Sequence, residues 1–175
     1  QEQDDDPEVL PKVTKDDIPK NRSYAHPLIN NSNNHSNYFY KTGTNGIVYH
    51  SMLFPCNSLN IEELKIANLF TNTLTDIGLG SEDYELIQKQ QSSVTGGTSA
   101  SCVMMTGTSD DNHKLALKIN SKSIEKNDLL KQDLMLKTIH ESNFSEAQRI
   151  KELIDFISSD NERSLTQDGH ALSMG

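Results

Sequence analysis

The sequence has little of several things, and each shortage excludes a class of function. No apolar run approaches the ~20 residues that a transmembrane helix needs. No charged segment followed by an apolar stretch opens the chain, so no signal peptide is visible, and the first residue is Gln1 rather than Met. That start is expected of a processed product or a piece of a longer protein. Two cysteines, Cys56 and Cys102, are too few for a disulfide framework, and a reducing compartment is the default. Basic residues number 16 against 25 acids, a formal charge of −9, so the basic footprint that nucleic-acid binding requires is missing.

Apolar residues are also scarce. They make up 34% of the 175 residues, or about 39% with glycine counted, against the roughly 45–50% of an ordinary domain. A core is possible, but part of the chain is expected to lie outside it. The first 20 residues hold seven acids and three lysines. With Pro7, Pro11 and Pro19 they read as an extended acidic arm running to about residue 35. The tract INNSNNHSN (29–37) is too polar to order itself and reads as a loop insertion.

From residue 36 the pattern becomes that of a folded domain. Thr44-Asn45-Gly46 is a turn signal, because Asn and Gly tolerate positive φ. GIVYHSMLF (46–54) follows as a strand, apolar on both faces and therefore expected at the centre of a sheet. Asn60 is placed to cap a helix over 61–77, with Ile61, Leu64, Phe70, Leu74 and Ile77 on one stripe. Ser81 is the expected cap of a helix over 82–92. Thr95-Gly96-Gly97 leads into a strand, TSASCVMMT (98–106). Asp110–Asn112 is the expected turn to a partner strand, KLALKIN (114–120), which alternates cleanly and makes an antiparallel hairpin. A helix over 125–141 carries Leu129, Leu130, Leu134, Leu136 and Ile139. Ser145 with Gln148 has capping-box spacing for a last helix with a stripe of Ala147, Ile150, Leu153, Ile154 and Ile157. A polar loop is expected after it, and GHALSMG resembles the start of another helix. The order β-α-α-β-β-α-α indicates an α+β fold, a mainly antiparallel sheet packed with helices.

The candidate chemistry is sparse. TGGTSAS (95–101) is Gly-rich, but a strand follows it and no lysine is near, so a tight turn is expected rather than a phosphate cradle. His26, His35, His50, His113, His140 and His170 show no metal-ligand spacing, and neither HExxH nor HxxEH occurs. His50 reads as a packed, hydrogen-bonded strand histidine. Asp168-Gly169-His170 comes without a nucleophile elbow, and Cys102 reads as a small buried side chain. No catalytic constellation emerges.

Ordered segments nonetheless resemble a known family. PEVLPKVTKDDIP (7–19), TNGIVYHSMLF (44–54), DIGLGSEDYELI (76–87), TGGTSAS (95–101), FSEAQRIKELI (144–154) and DGHALS (168–173) are similar to successive signatures of presequence protease and falcilysin-like zinc metallopeptidases of the pitrilysin/insulinase clan. Order and spacing agree over most of residues 7–173. The resemblance implies four α+β repeats closing like a clamshell, with zinc held by HxxEH in the first. This chain resembles the start of the third repeat, truncated, and the helix at 61–77 offers no histidine at the fold-equivalent position. The implied role is therefore noncatalytic: no cofactor here, zinc in the parent protein, and a share in the chamber that encloses unfolded peptides. Asn45, Gly46, Thr95, Gly96 and Gly97 are candidates for contact with peptide or a neighbouring repeat. The implied partners are the remaining repeats and unfolded peptides, not nucleic acid or membrane, and a truncated repeat is expected to self-associate or to cover its exposed surface with the 1–35 arm. The implied location is a mitochondrion or plastid-like organelle, or alternatively a digestive vacuole or the cytosol. The alternative function is a degenerate peptidase-like assembly module. An independent small-molecule enzyme built around TGGTSAS is a further possibility.

Overall fold

The computed structural model describes residues 14–18, 24–32, 35–106 and 113–167. The chain divides into two units, Gln1–Gly43 and Thr44–Gly175. In the first, a 3-10 turn at Lys15–Asp17 is closed by the Asp17 carboxylate, which accepts from Thr14 N (2.7 Å) and Thr14 Oγ1 (2.9 Å). The Thr14 backbone bond and then its hydroxyl hold the Asp17 carboxyl below its usual value. Strands β1 (Leu28–Ser32) and β2 (His35–Phe39) pair antiparallel, with every residue exposed. The Asn-rich tract is thus a hairpin, not the expected unstructured loop. Backbone pairing needs no buried side chain, and composition alone does not report it.

The second unit is α+β and follows the expected order from its first strand. Its elements are β3 (Ile47–Pro55), α1 (Ile61–Leu74), α2 (Tyr84–Val94), β4 (Thr98–Thr106), β5 (His113–Ile124), α3 (Asp128–His140) and α4 (Ala147–Gln167). The three strands form one antiparallel sheet in the order β3-β5-β4. β4 and β5 pair as expected, while the turn residues Asp110–Asn112 lie outside the described residues.

The position of β3 corrects the sequence expectation. It is an outer strand, and the later β5 is central. Val48, His50, Met52 and Phe54 are partly buried, whereas Tyr49, Ser51 and Leu53 are exposed. Apolar residues on both faces of β3 therefore do not mean burial on both faces. Among the described residues, the helices pack on one face of the sheet. There Leu74 of α1, Ile119 of β5 and Met135 of α3 make the core, with Met52, Ala100, Leu117 and Ile139 packed against it.

Helix α1 begins as expected. Asn60 Oδ1 accepts from Glu62 N (2.9 Å) and Glu63 N (3.0 Å), while Asn60 N donates back to the Glu63 carboxylate. Its stripe is buried only at the C-terminal end: Leu74 and Ile77 are covered, but Ile61 is 67% exposed. Helix α2 is capped by Asp83 Oδ1, which accepts from Leu86 N, not by Ser81. Ser81 instead sits in a tight reversal where Leu79 and Glu82 exchange two backbone bonds.

Helix α3 is rotated from the expected stripe. Lys131, Leu134, Met135 and Thr138 face inward, while Leu129, Leu130 and Leu136 are exposed. The polar members are satisfied there: Thr138 Oγ1 donates to Leu134 O, and the Lys131 ammonium finds an acceptor and a counter-ion. Ser145 does not use its capping-box spacing, because Ser145 Oγ donates to Asn143 Oδ1 and Gln148 turns to Glu152. The segment after Ile157, expected as a polar loop, continues α4 to Gln167. SSDNERSLTQ contains no Gly or Pro to stop it. The GHALSMG segment lies outside the described residues.

Candidate functional site

Segments far apart in sequence meet at two places. In the first, the DIGLG loop docks on the start of α4. Gly78 N donates to Glu146 Oε2 (2.8 Å), Asn143 N donates to Gly78 O (2.8 Å), and Arg149 Nε donates to Asp76 O (3.1 Å). The Arg149 guanidinium lies 4.1 Å from the centre of the Tyr84 ring. These bonds join the DIGLGSEDYELI and FSEAQRIKELI segments into one structural joint.

The second meeting place is the end of the sheet where β5 finishes. Asn45 and Gly46 have φ of 51° and 79°, and Ile47 N closes their turn on Thr44 O (3.2 Å). Gly46 O accepts from Glu125 N (3.1 Å), just past the end of β5. On the other side of β5, Gly96 N donates to Lys122 O (2.7 Å), and Gly97 N, at a residue with φ 118°, donates to Thr95 Oγ1 (3.1 Å). The two sequence-selected turns thus flank the C-terminal end of the central strand.

Between them lies a shallow polar depression of ≈410 Å³ at this end of the sheet, lined mainly from the face away from the helices, with His50, Thr98 and Ser121 of the other face at its border. Tyr49, Ser51, Ser99, Lys118, Asn120 and Lys122 line it, with Gly96 and Gly97 at its edge. Register explains the grouping: Tyr49 pairs with Lys122, Ser51 and Ser99 with Asn120. Directly opposed residues point to the same side of a sheet. Ser51 Oγ donates to Asn120 Oδ1 (2.7 Å). The site has hydrogen-bond donors and cations, and among the described residues Ser51 bonds to Asn120, and Ser121 to Thr98 and Gly97 O, rather than to His50.

Beneath the sheet is a cluster absent from the sequence expectations. Lys131 Nζ is fully buried, donates to Val48 O (3.1 Å) and pairs with Asp128 Oδ1 (2.7 Å). Burial favours the neutral acid at Asp128, yet the Lys131 hydrogen bond and charge, the Gln132 amide and His50 together hold its carboxyl below the usual value. His50 is held below its ordinary 6.5, first by burial and then by the Lys131 charge, with Asp128 opposing. Its Nδ1 is buried without a hydrogen-bond partner among the described residues, so the histidine is packed as expected but not hydrogen-bonded at that atom there. Lys131 shares its inward face with Leu134, Met135 and Thr138, and that i, i+3, i+4 spacing was the available signal.

Burial raises the Cys102 thiol, and Cys56 adds to the effect, so Cys102 is not poised as a nucleophile. Among the described residues no group of three or more His, Cys, Asp or Glu side chains is placed to hold a metal ion. α1 contains no histidine, and its first-turn carboxylates are engaged with Lys65 and the Asn60 backbone. These residues do not fit a zinc site. No helix among them is long and apolar enough to cross a membrane.

Comparison with known proteins identifies the relatives. The family model described as "Peptidase M-16C associated" matches residues 1–175. The chain belongs to this peptidase-associated family. It is 24% identical over 168 residues to the mitochondrial presequence protease of Drosophila melanogaster, covering 95% of the chain and 16% of that protein. It is 27% identical over 180 residues to presequence protease 1, chloroplastic/mitochondrial, of Arabidopsis thaliana, covering 99% of the chain and 16% of that protein. This member of the peptidase-associated family therefore spans a small part of the length of these curated relatives.

Proposed function

We propose that this chain is a noncatalytic portion of a zinc metalloendopeptidase that degrades unfolded peptides, such as transit peptides or oligopeptides, and forms part of the chamber around them. The observation that carries this reading is the match of the whole chain to the peptidase-associated family. The shape of the sheet supports it: helices cover one face and leave the other available to line an enclosure. Zinc and the residues that activate water would belong to another part of the parent protein. This segment would contribute a wall, with Asn45–Gly46 and Thr95–Gly97 at one rim. The exposed apolar side chains of α1 and α3 would meet the remaining repeats. The presequence proteases it resembles favour a mitochondrion or plastid-like organelle as its location.

The test is a peptidase assay on a long unstructured peptide, comparing this chain with the full-length product, each with and without chelator. Chelator-sensitive cleavage by the full-length protein alone is the expected result. Cleavage by this chain alone would overturn the noncatalytic assignment. An inactive full-length product would favour the assembly-module alternative.

A further inference from the structure

The open face of the sheet carries a charge pattern opposed to that of the whole chain. β5 is central, and its even-numbered polar residues Lys114, Lys118, Asn120 and Lys122 face away from the core. The three lysines recur every fourth residue. At ~3.3 Å per residue they stand about 13 Å apart, a ladder roughly 27 Å long. Their cross-strand neighbours are Met105 beside Lys114, Leu53 and Ser101 beside Lys118, and Tyr49 beside Lys122. No strand residue on this face is acidic, and none of the three lysines has a carboxylate partner among the described residues.

The neighbouring groups favour a ligand with many acceptors. The Ser51 bond occupies the Asn120 carbonyl oxygen and leaves the Asn120 amide to donate outward. Gly96 lets the Lys122 stem lie close along the sheet, because a Cβ there would stand 3.1 Å from two of its carbons. A chain of charge −9 repels carboxylates overall, so strands that bring no acid to this face, and three lysines with no carboxylate partner among the described residues, make it the place where an anionic ligand gains most.

We propose that this face binds an extended acidic peptide segment lying along β5, with carboxylates at every fourth residue opposite Lys114, Lys118 and Lys122. An extended chain has the same rise as the strand beneath it, so that spacing matches the ladder. Single-stranded nucleic acid is the poorer fit. It is bound by basic grooves with stacked aromatic platforms, and this face offers one tyrosine and no arginine. The inference goes beyond the peptidase reading and does not depend on it, since it concerns binding and requires no cleavage.

The test uses the full 175-residue chain and fluorescence anisotropy with a labelled Gly/Ser peptide carrying Glu at every fourth position. The Gln version of that peptide and an oligo-dT serve as comparison probes. The Glu peptide is expected to bind at low salt, to weaken as salt rises, and to bind more tightly than either comparison. Lys118→Gln and Lys122→Gln should each weaken binding by roughly two- to fivefold, the scale of an exposed ion pair, with the far-UV spectrum unchanged. Lys65→Gln, on α1, should leave it unaltered. Equal binding of the Gln peptide, oligo-dT binding at least as tightly, an equal loss in Lys65→Gln, or no binding at low salt would each overturn the proposal.

Discussion

Substituting Gly78→Ala tests the joint between the DIGLG loop and α4. A Cβ at this position would stand 2.7 Å from Glu146 Oε1 and collide with the Glu82 carbonyl oxygen. The carboxylate could swing away, but the carbonyl is backbone and is tied to Leu79 N at 3.0 Å. Relief therefore requires the loop to move. Overpacking of this kind costs about 1–3 kcal/mol. Movement also breaks the Gly78 N bond to Glu146, a charge-assisted and half-buried contact of about 1.5–3 kcal/mol. The expected loss is about 3–5 kcal/mol, a large share of the roughly 5–15 kcal/mol that holds a domain together. At about 2–4 °C per kcal/mol for a domain of this size, Tm should fall by on the order of 10 °C. Urea and thermal unfolding followed by circular dichroism measure both quantities. Gly43→Ala, where an added Cβ meets nothing within 4 Å, is the control and should be close to neutral. Glu146→Ala removes the same bond from the other side, so the double variant should lose less than the sum of the two single losses. A Gly78→Ala loss below about 0.5 kcal/mol, inside the range of neutral surface changes, would refute the reasoning. So would strict additivity with Glu146→Ala.

The buried cluster and the helix faces give further expected outcomes. Asp128→Ala should destabilise by about 3–5 kcal/mol in urea titration, because it leaves the Lys131 charge buried without its counter-ion, while Lys131→Met with Asp128→Leu should recover most of that loss. Stability should fall as pH drops below about 6.5, because the unfolded chain then takes up a proton at His50 that the folded chain resists. The low Asp128 carboxyl adds a second loss at more acidic pH, and His50→Gln should remove the first phase alone in pH-dependent urea midpoints. Met135→Ala should cost about 2–5 kcal/mol, whereas Leu129→Ala should change little, since Met135 is fully buried and Leu129 is 80% exposed; the same unfolding curves measure both. Asn60→Ala should cost about 1 kcal/mol through loss of two capping bonds, with a matching loss of helix signal on heating.

Local chemistry was legible in the sequence wherever it acts within a few residues. Asn45–Gly46 makes its positive-φ turn, Asn60 caps α1, and the alternation of KLALKIN separates the two faces of β5. These depend on backbone sterics, a side chain reaching its own helix end, and the two-residue period of a strand. The α+β class and the order of elements after residue 44 follow from the same periodicities. The family resemblance rested on ordered short segments, and the match to the whole chain agrees with it.

Tertiary structure decided which apolar faces are covered. β3 carries apolar residues on both sides, but pairing places it at the outside of the sheet, and only Val48, His50, Met52 and Phe54 turn toward the helices. α3 offers leucines at 129, 130 and 136, yet it buries Lys131 and Thr138, because Val48 O, Asp128 and Leu134 O wait on that side to satisfy them. The depression beside Lys118 and Lys122 exists only because three strands from different parts of the chain align their residues. Periodicity states that a helix or strand has faces; which face is buried depends on partners many residues away, and only their packing selects it.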